Sequence, residues 1–163
     1  MVAQATPFKR QEPWHILISD QDEGARQVLV HSLEPQRWQP YEASSGREAL
    51  QILRAQVVHV LVSAVELPDT TGFDVVYGLK LLHRWVPFIL TASQLNKEVL
   101  LRALVARAFT VMQKPVEEGL FRSTLEHLMG RCYGEGGSTG SPPGELSGWD
   151  EPEPWPTRGD ELF

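Results

Sequence analysis

Five short, β-prone apolar runs, each followed by a stretch with helical spacing, constrain this chain more than any other feature. The runs are "WHILIS" (14–19), "WQPYEA" (38–43), "VVHVLVSA" (57–64), "VPFILTA" (86–92) and "FTVMQ" (109–113). Three are almost unbroken in apolar residues, as strands buried on both faces are. Between and after them, apolar residues step by three or four, the period of one helix face. The stripes are Ala25, Leu29 and Leu33; Ala49 and Leu53; Val75, Leu79 and Leu82; Leu100, Leu104 and Ala108; and Phe121, Leu125 and Leu128. Ser44 or Ser45, and Thr70 or Thr71, stand where helix N-caps are needed. Fivefold strand–helix alternation predicts the α/β class, a doubly wound five-stranded parallel sheet with helices on both faces and right-handed crossovers. A length of 163 residues, 42% of them hydrophobic, suffices for one such domain and a tail.

In such sheets chemistry gathers at the carboxyl ends of the strands. The informative residues are therefore those where each run stops: Asp20 and Gln21, Ala64, Thr91, and Lys114 with Pro115. A carboxylate, a hydroxyl and an ammonium would converge on one rim. Each alone is an ordinary strand end, polar because the chain is leaving the core; the set singles out the rim.

Charge and composition remove several function classes. Residues 1–131 carry fourteen basic and fourteen acidic residues, whereas 132–163 hold seven acidic and one basic. A neutral body with an acidic tail has no electrostatic footprint for nucleic acid. No apolar run nears the ~20 residues of a membrane span, and "MVAQATPFKRQEPW" lacks the apolar core of a secretory signal. Cys132 is the single cysteine, which excludes an internal disulfide and a Cys-rich zinc site. The histidines at 15, 31, 59, 83 and 127 show no ligand spacing. The expectation is a cytoplasmic protein that contacts neither nucleic acid nor membrane.

From about Trp14 to Gly130 the chain resembles the receiver domain of bacterial two-component response regulators. The motifs are "HILISDQDE", "SSGREALQIL", "LVSAVELPDTTGFDV", "PFILTAS" and "FTVMQKPV", with Pro68 to Gly72 and Lys114–Pro115 fixing the register. The resemblance implies a flavodoxin-like (βα)5 fold and a phosphorelay switch. In that switch an aspartate attacks a phosphodonor and becomes an aspartyl phosphate, while further acids hold a Mg²⁺ on the phosphoryl oxygens. A lysine pairs with the phosphate, and a hydroxyl swings in to bond it. By position, Asp20 matches the first metal-binding acid and Gln21 the second. Ala64 matches the phosphoacceptor, Glu66 the residue giving its carbonyl to the metal, Thr91 the signalling hydroxyl and Lys114 the phosphate-pairing lysine. Val111 falls where many members carry an aromatic residue coupled to that hydroxyl.

The departures set the expectation. Alanine offers no nucleophile, and Gln21 removes a charge from the metal site. Asp20 alone would hold Mg²⁺ weakly or not at all, so neither cofactor nor catalysis is expected. Ser63 should face away from Ala64, because side chains alternate along a strand. Lys114 should bridge to Asp20. The chain is read as a stand-alone pseudo-receiver in phosphorelay signalling, independent of phosphorylation and acting by protein–protein interaction. Its partner, a signalling protein or a second copy, would meet the side formed by the fourth helix, fifth strand and fifth helix. Two other readings stay open: a true switch with Asp20 or Asp22 as acceptor, and an anion sensor using Lys114 and Thr91. By sequence, 1–13 is an extension, 14–131 the receiver-like domain and 132–163 an acidic Gly/Pro-rich tail. The tail's composition cannot bury a core and predicts disorder. Trp149, Trp155 and Phe163, set among its acids and prolines, suggest a docking motif.

Overall fold

The structure, a computed structural model, describes residues 12–134. The chain divides into a compact unit, Gln11–Leu128, and a second unit to which Met129–Gly134 belong. The first unit holds the sheet. In chain order the elements are β1 (Trp14–Ser19), α1 (Glu23–His31), β2 (Trp38–Ala43), α2 (Gly46–Ala55), β3 (Val60–Ala64), α3 (Gly72–Leu81), β4 (Phe88–Ala92), α4 (Lys97–Ala106), β5 (Thr110–Gln113) and α5 (Glu118–Tyr133). All ladders are parallel and the strand order is β2-β1-β3-β4-β5. This is the doubly wound sheet expected from the sequence.

The two helical layers follow from that order. The chain moves one way from β1 to β2, then reverses and crosses β1 to reach β3, β4 and β5. With every crossover right-handed, α1 falls on one face and α2, α3 and α4 on the other. Accordingly α2 packs on α3 and α3 on α4, while Ser32, Leu33 and Glu34, just past α1, and Arg122, Leu125 and Glu126 of α5 line a common crevice. Covered on both sides, β3 and β4 are buried at every residue. Ile16, Leu17, Ile18, Leu61, Ile89 and Leu90 form the centre of the core.

The helix starts are local events. Of each predicted cap pair, the second residue caps: the Ser45 hydroxyl accepts the Glu48 N–H, and the Thr71 hydroxyl accepts the Asp74 N–H. Glu48 reaches back past the cap to the Ser44 N–H at 2.7 Å and its hydroxyl at 2.6 Å, fixing the residue that precedes the N-cap. Those two bonds, the hydroxyl first, hold the Glu48 carboxyl below its usual range.

The structure departs from the sequence expectation in a few places. β3, β4 and β5 begin at Val60, Phe88 and Thr110, later than the apolar runs, which include residues that approach the sheet before pairing. On α4 the stripe Leu100, Leu104 is not the buried face. Ala103 is buried, and Leu100, Leu101, Leu104 and Val105 are exposed, Leu104 by 74%. The small Ala103 side chain turns the helix's narrow face inward, and periodicity alone favoured the larger residues. α5 runs to Tyr133, two residues past the boundary at 131. Of the second unit, the described residues are Met129–Gly134; Cys132 there is buried, and burial pushes its thiol up to about 11 against the opposing charge of Arg131. The expected disorder of the tail lies outside the described residues. No described helix is long and apolar enough to cross a membrane.

Candidate functional site

The sheet reverses its winding between β1 and β3, and the rim residues gather outside their carboxyl ends. Ser19 pairs with Ser63, so Asp20 and Ala64 leave the β1–β3 ladder side by side, and Ala64 in turn pairs with Thr91. Backbone bonds carry the ladders past the strand ends. The Asp20 N–H donates to the Ala43 carbonyl at 2.9 Å, Val65 N–H to Thr91 at 2.8 Å, and Lys114 N–H to Ala92 at 2.9 Å. These bonds fix the bases of the rim side chains on rigid strands.

Asp20 is the best-supported group in the rim. Its side chain is 3% exposed, and Oδ2 meets the Lys114 Nζ at 2.5 Å. Oδ1 accepts the Asp22 N–H at 2.9 Å. The expected Lys114–Asp20 bridge is therefore present. Asp22, the other irregular acceptor considered, spends Oδ1 as the N-cap of α1, accepting the Ala25 N–H at 3.2 Å. Gln21 is exposed. Thr91 is buried next to Ala64, and Ala64 is 1% exposed. Glu66 is exposed on the β3–α3 loop, where its carboxylate accepts the Ser93 hydroxyl at 3.2 Å. Val111 is half-buried on β5 opposite Leu90. Trp149, Trp155 and Phe163 lie outside the described residues.

The loop after Ala64 folds back on its own strand. The Gly72 N–H donates to the Val65 carbonyl at 2.9 Å, and Glu66 bridges Thr71. A Cβ at Gly72 would run into the Ala64 carbonyl oxygen, so only glycine fits there. Ser63 donates its hydroxyl to the Ala64 carbonyl at 3.0 Å, and the hydroxyl lies beside Gly72.

Two supporting residues and one histidine contact escaped the sequence reading. Arg26 donates to the Asp20 carbonyl at 2.7 Å and pairs with Glu42 at 2.9 Å, tying α1 to the ends of β1 and β2. Asp69 accepts the Gly46 and Arg47 N–H groups at 2.8 and 3.0 Å, which caps α2 from the β3–α3 loop. His15 and His59, far apart in sequence, meet at the opposite end of the sheet, where the His15 N–H donates to His59 Nδ1 at 2.9 Å. Arg26 and Asp69 reach across 16 and 22 residues. No local pattern marks such pairs.

Comparison with known proteins agrees with this fold. The family model for the response regulator receiver domain matches residues 16–126. Response regulator protein PilR of Pseudomonas aeruginosa is 26% identical over 109 residues, covering 67% of this chain and 24% of PilR. Response regulator SaeR of Staphylococcus epidermidis is 24% identical over 101 residues, covering 62% of this chain and 44% of SaeR. The chain thus spans less than half the length of these curated relatives. Among solved structures, chemotaxis protein CheY4 of Vibrio cholerae superposes with a TM-score of 0.66 at 23% identity, covering 71% of this chain and 98% of that one. At that identity the superposition speaks for the fold.

Proposed function

The chain belongs to the response regulator receiver family, and on that premise we propose that it is a receiver whose output is independent of phosphorylation and is delivered by protein–protein contact. One observation carries the reading. The residue closing β3, at the point where the sheet reverses, is a buried methyl group, while Asp20 and Lys114 satisfy each other beside it. A methyl has no lone pair with which to attack phosphorus. Asp20 and Asp22 both spend carboxylate oxygens on internal donors, which weighs against either as a replacement nucleophile. Lys114 is engaged by Asp20, which weighs against its gathering an anion with Thr91.

The rim does not fit a Mg²⁺ ion. That ion asks for near-octahedral oxygen donors and is held through carboxylates. Here the one buried carboxylate has an ammonium against it at 2.5 Å, and Ala64 contributes nothing. The partner-binding side is proposed to be α4, β5 and α5. There Leu100, Leu101, Leu104, Val105 and, at the start of α5, Leu120 expose a run of large apolar side chains, the kind of patch that marks an interaction surface.

Calorimetric titration tests the rim. Wild type should give no saturable heat with Mg²⁺, whereas Gln21→Asp with Ala64→Asp should bind it at roughly millimolar levels, as partly hydrated Mg²⁺ sites do. Equal binding by the two proteins would show that the rim has been assigned wrongly.

A further inference from the structure

The exposed side of α4 has the same apolar order read from either end of the helix. We propose that it pairs with the α4 of a second copy of this chain, the two helices running antiparallel about a two-fold axis. The inference rests on the reading of α4 as part of the partner-binding side, and it names the partner.

The helix packs on α3 and β5, with Ala103 as its buried residue. Leu100, Leu101, Leu104 and Val105 stand outward, each about half exposed or more. They are placed symmetrically about the point between Arg102 and Ala103. With about 3.6 residues per turn, Leu101 and Leu104 fall on either side of one outward line, and Leu100 and Val105 spread to its two flanks. A two-fold axis between two such helices, level with that point, brings Leu101 level with the second copy's Leu104. Leu100 comes level with its Val105. Every large apolar side chain of the face then has a large apolar side chain at its own level. That self-complementarity is what a two-fold interface requires, whereas an unrelated partner would leave the symmetric order unexplained.

The polar residues agree with this pairing. Arg102, the one charge within the stripe, is drawn aside: its guanidinium lies over the Phe73 ring of α3, 4.3 Å from the centroid. The ends set the direction. Lys97 and Glu98 open the helix and Arg107 caps it, and all three are exposed. A parallel pair would set Lys97 level with Lys97 and Arg107 with Arg107, like charge against like. The antiparallel pair sets Glu98 at the level of the second copy's Arg107, and Lys97 at the carbonyl end of the opposite helix, which favours a cation. Among the described residues, no ion pair engages Glu98 or Arg107. Ten residues make a face only about 15 Å long, well short of the ~800 Å² per partner of a standard interface. The dimer should therefore be reversible and form as concentration rises through the micromolar range.

Sedimentation equilibrium of the full chain tests the assignment. The mean mass should rise from one chain toward two with concentration. Leu104→Ser should weaken self-association by more than about tenfold, because the axis removes the side chain from both copies, with the melting temperature of dilute protein unchanged. Leu101→Cys and Leu104→Cys proteins, mixed and oxidised, should cross-link more than either alone, since only the mixture sets the two thiols level; the native Cys132 is buried. A monomer at every concentration would overturn the second copy as partner while leaving the α4 face open to another protein. A dimer untouched by Leu104→Ser would overturn both the proposal and α4 as the binding side, and a mixture that cross-links no better than the single variants would overturn the antiparallel pairing.

Discussion

Ala64, Asp20 and Lys114 decide the chemistry of the rim, and their energetics are separable. Asp20 is a buried charge with one cationic partner. Removing one member of such a pair strands the other, whereas removing both can be nearly neutral. Lys114→Met should cost about 3 kcal/mol in urea denaturation, and Asp20→Asn added to it should restore much of that. A double variant less stable than Lys114→Met alone would show that the two groups are not a pair. Lys80 on α3 makes a second prediction at this scale. Burial first, and the charge of Arg107 next, push its ammonium down to about 7. The unfolded chain keeps that proton up to about pH 10.4. Between these values the unfolded state binds more protons, so stability rises with pH. The gap in melting temperature by which Lys80→Met exceeds wild type should therefore be widest near pH 7 and shrink toward pH 9.5. A gap that stays constant would mean Lys80 does not titrate in that window.

Among the elements, α4 separates what the sequence could say from what it could not. Its existence follows from the spacing of its apolar residues, whereas its start, capped by the Asn96 side chain, was not read from the sequence. Its inward face does not follow from that spacing, because Leu100, Leu101, Leu104 and Val105 compete with Ala103 and only the packing against its neighbours chooses. Leu104→Ser should change stability by less than about 0.5 kcal/mol, as exposed substitutions do, whereas Ala103→Leu should cost about 1–3 kcal/mol by overpacking. The reverse order, read by thermal or urea unfolding, would mean α4 is turned the other way. The strands were legible for the opposite reason: β3 and β4 are buried on both faces, so their sequences carry no competing face to misread. The rim positions were legible because each sits at a strand end, where a break in the apolar run marks it. Asp69 and Arg26 were not, since each acts on an element distant in sequence.

At the scale of the whole molecule, one reversal in strand order places the rim, the two helical layers and the exposed side of α4. The receiver fold is intact around a position that holds a buried methyl. Independence from phosphorylation is then the central claim, and covalent modification tests it most directly. The full chain, incubated with acetyl phosphate and Mg²⁺ beside a receiver domain that carries the aspartate, is followed by intact-protein mass spectrometry. The control should gain a base-labile phosphoryl group while this protein stays unmodified; a base-labile phosphoryl group on this chain, at Asp20, Asp22 or elsewhere, would contradict the claim.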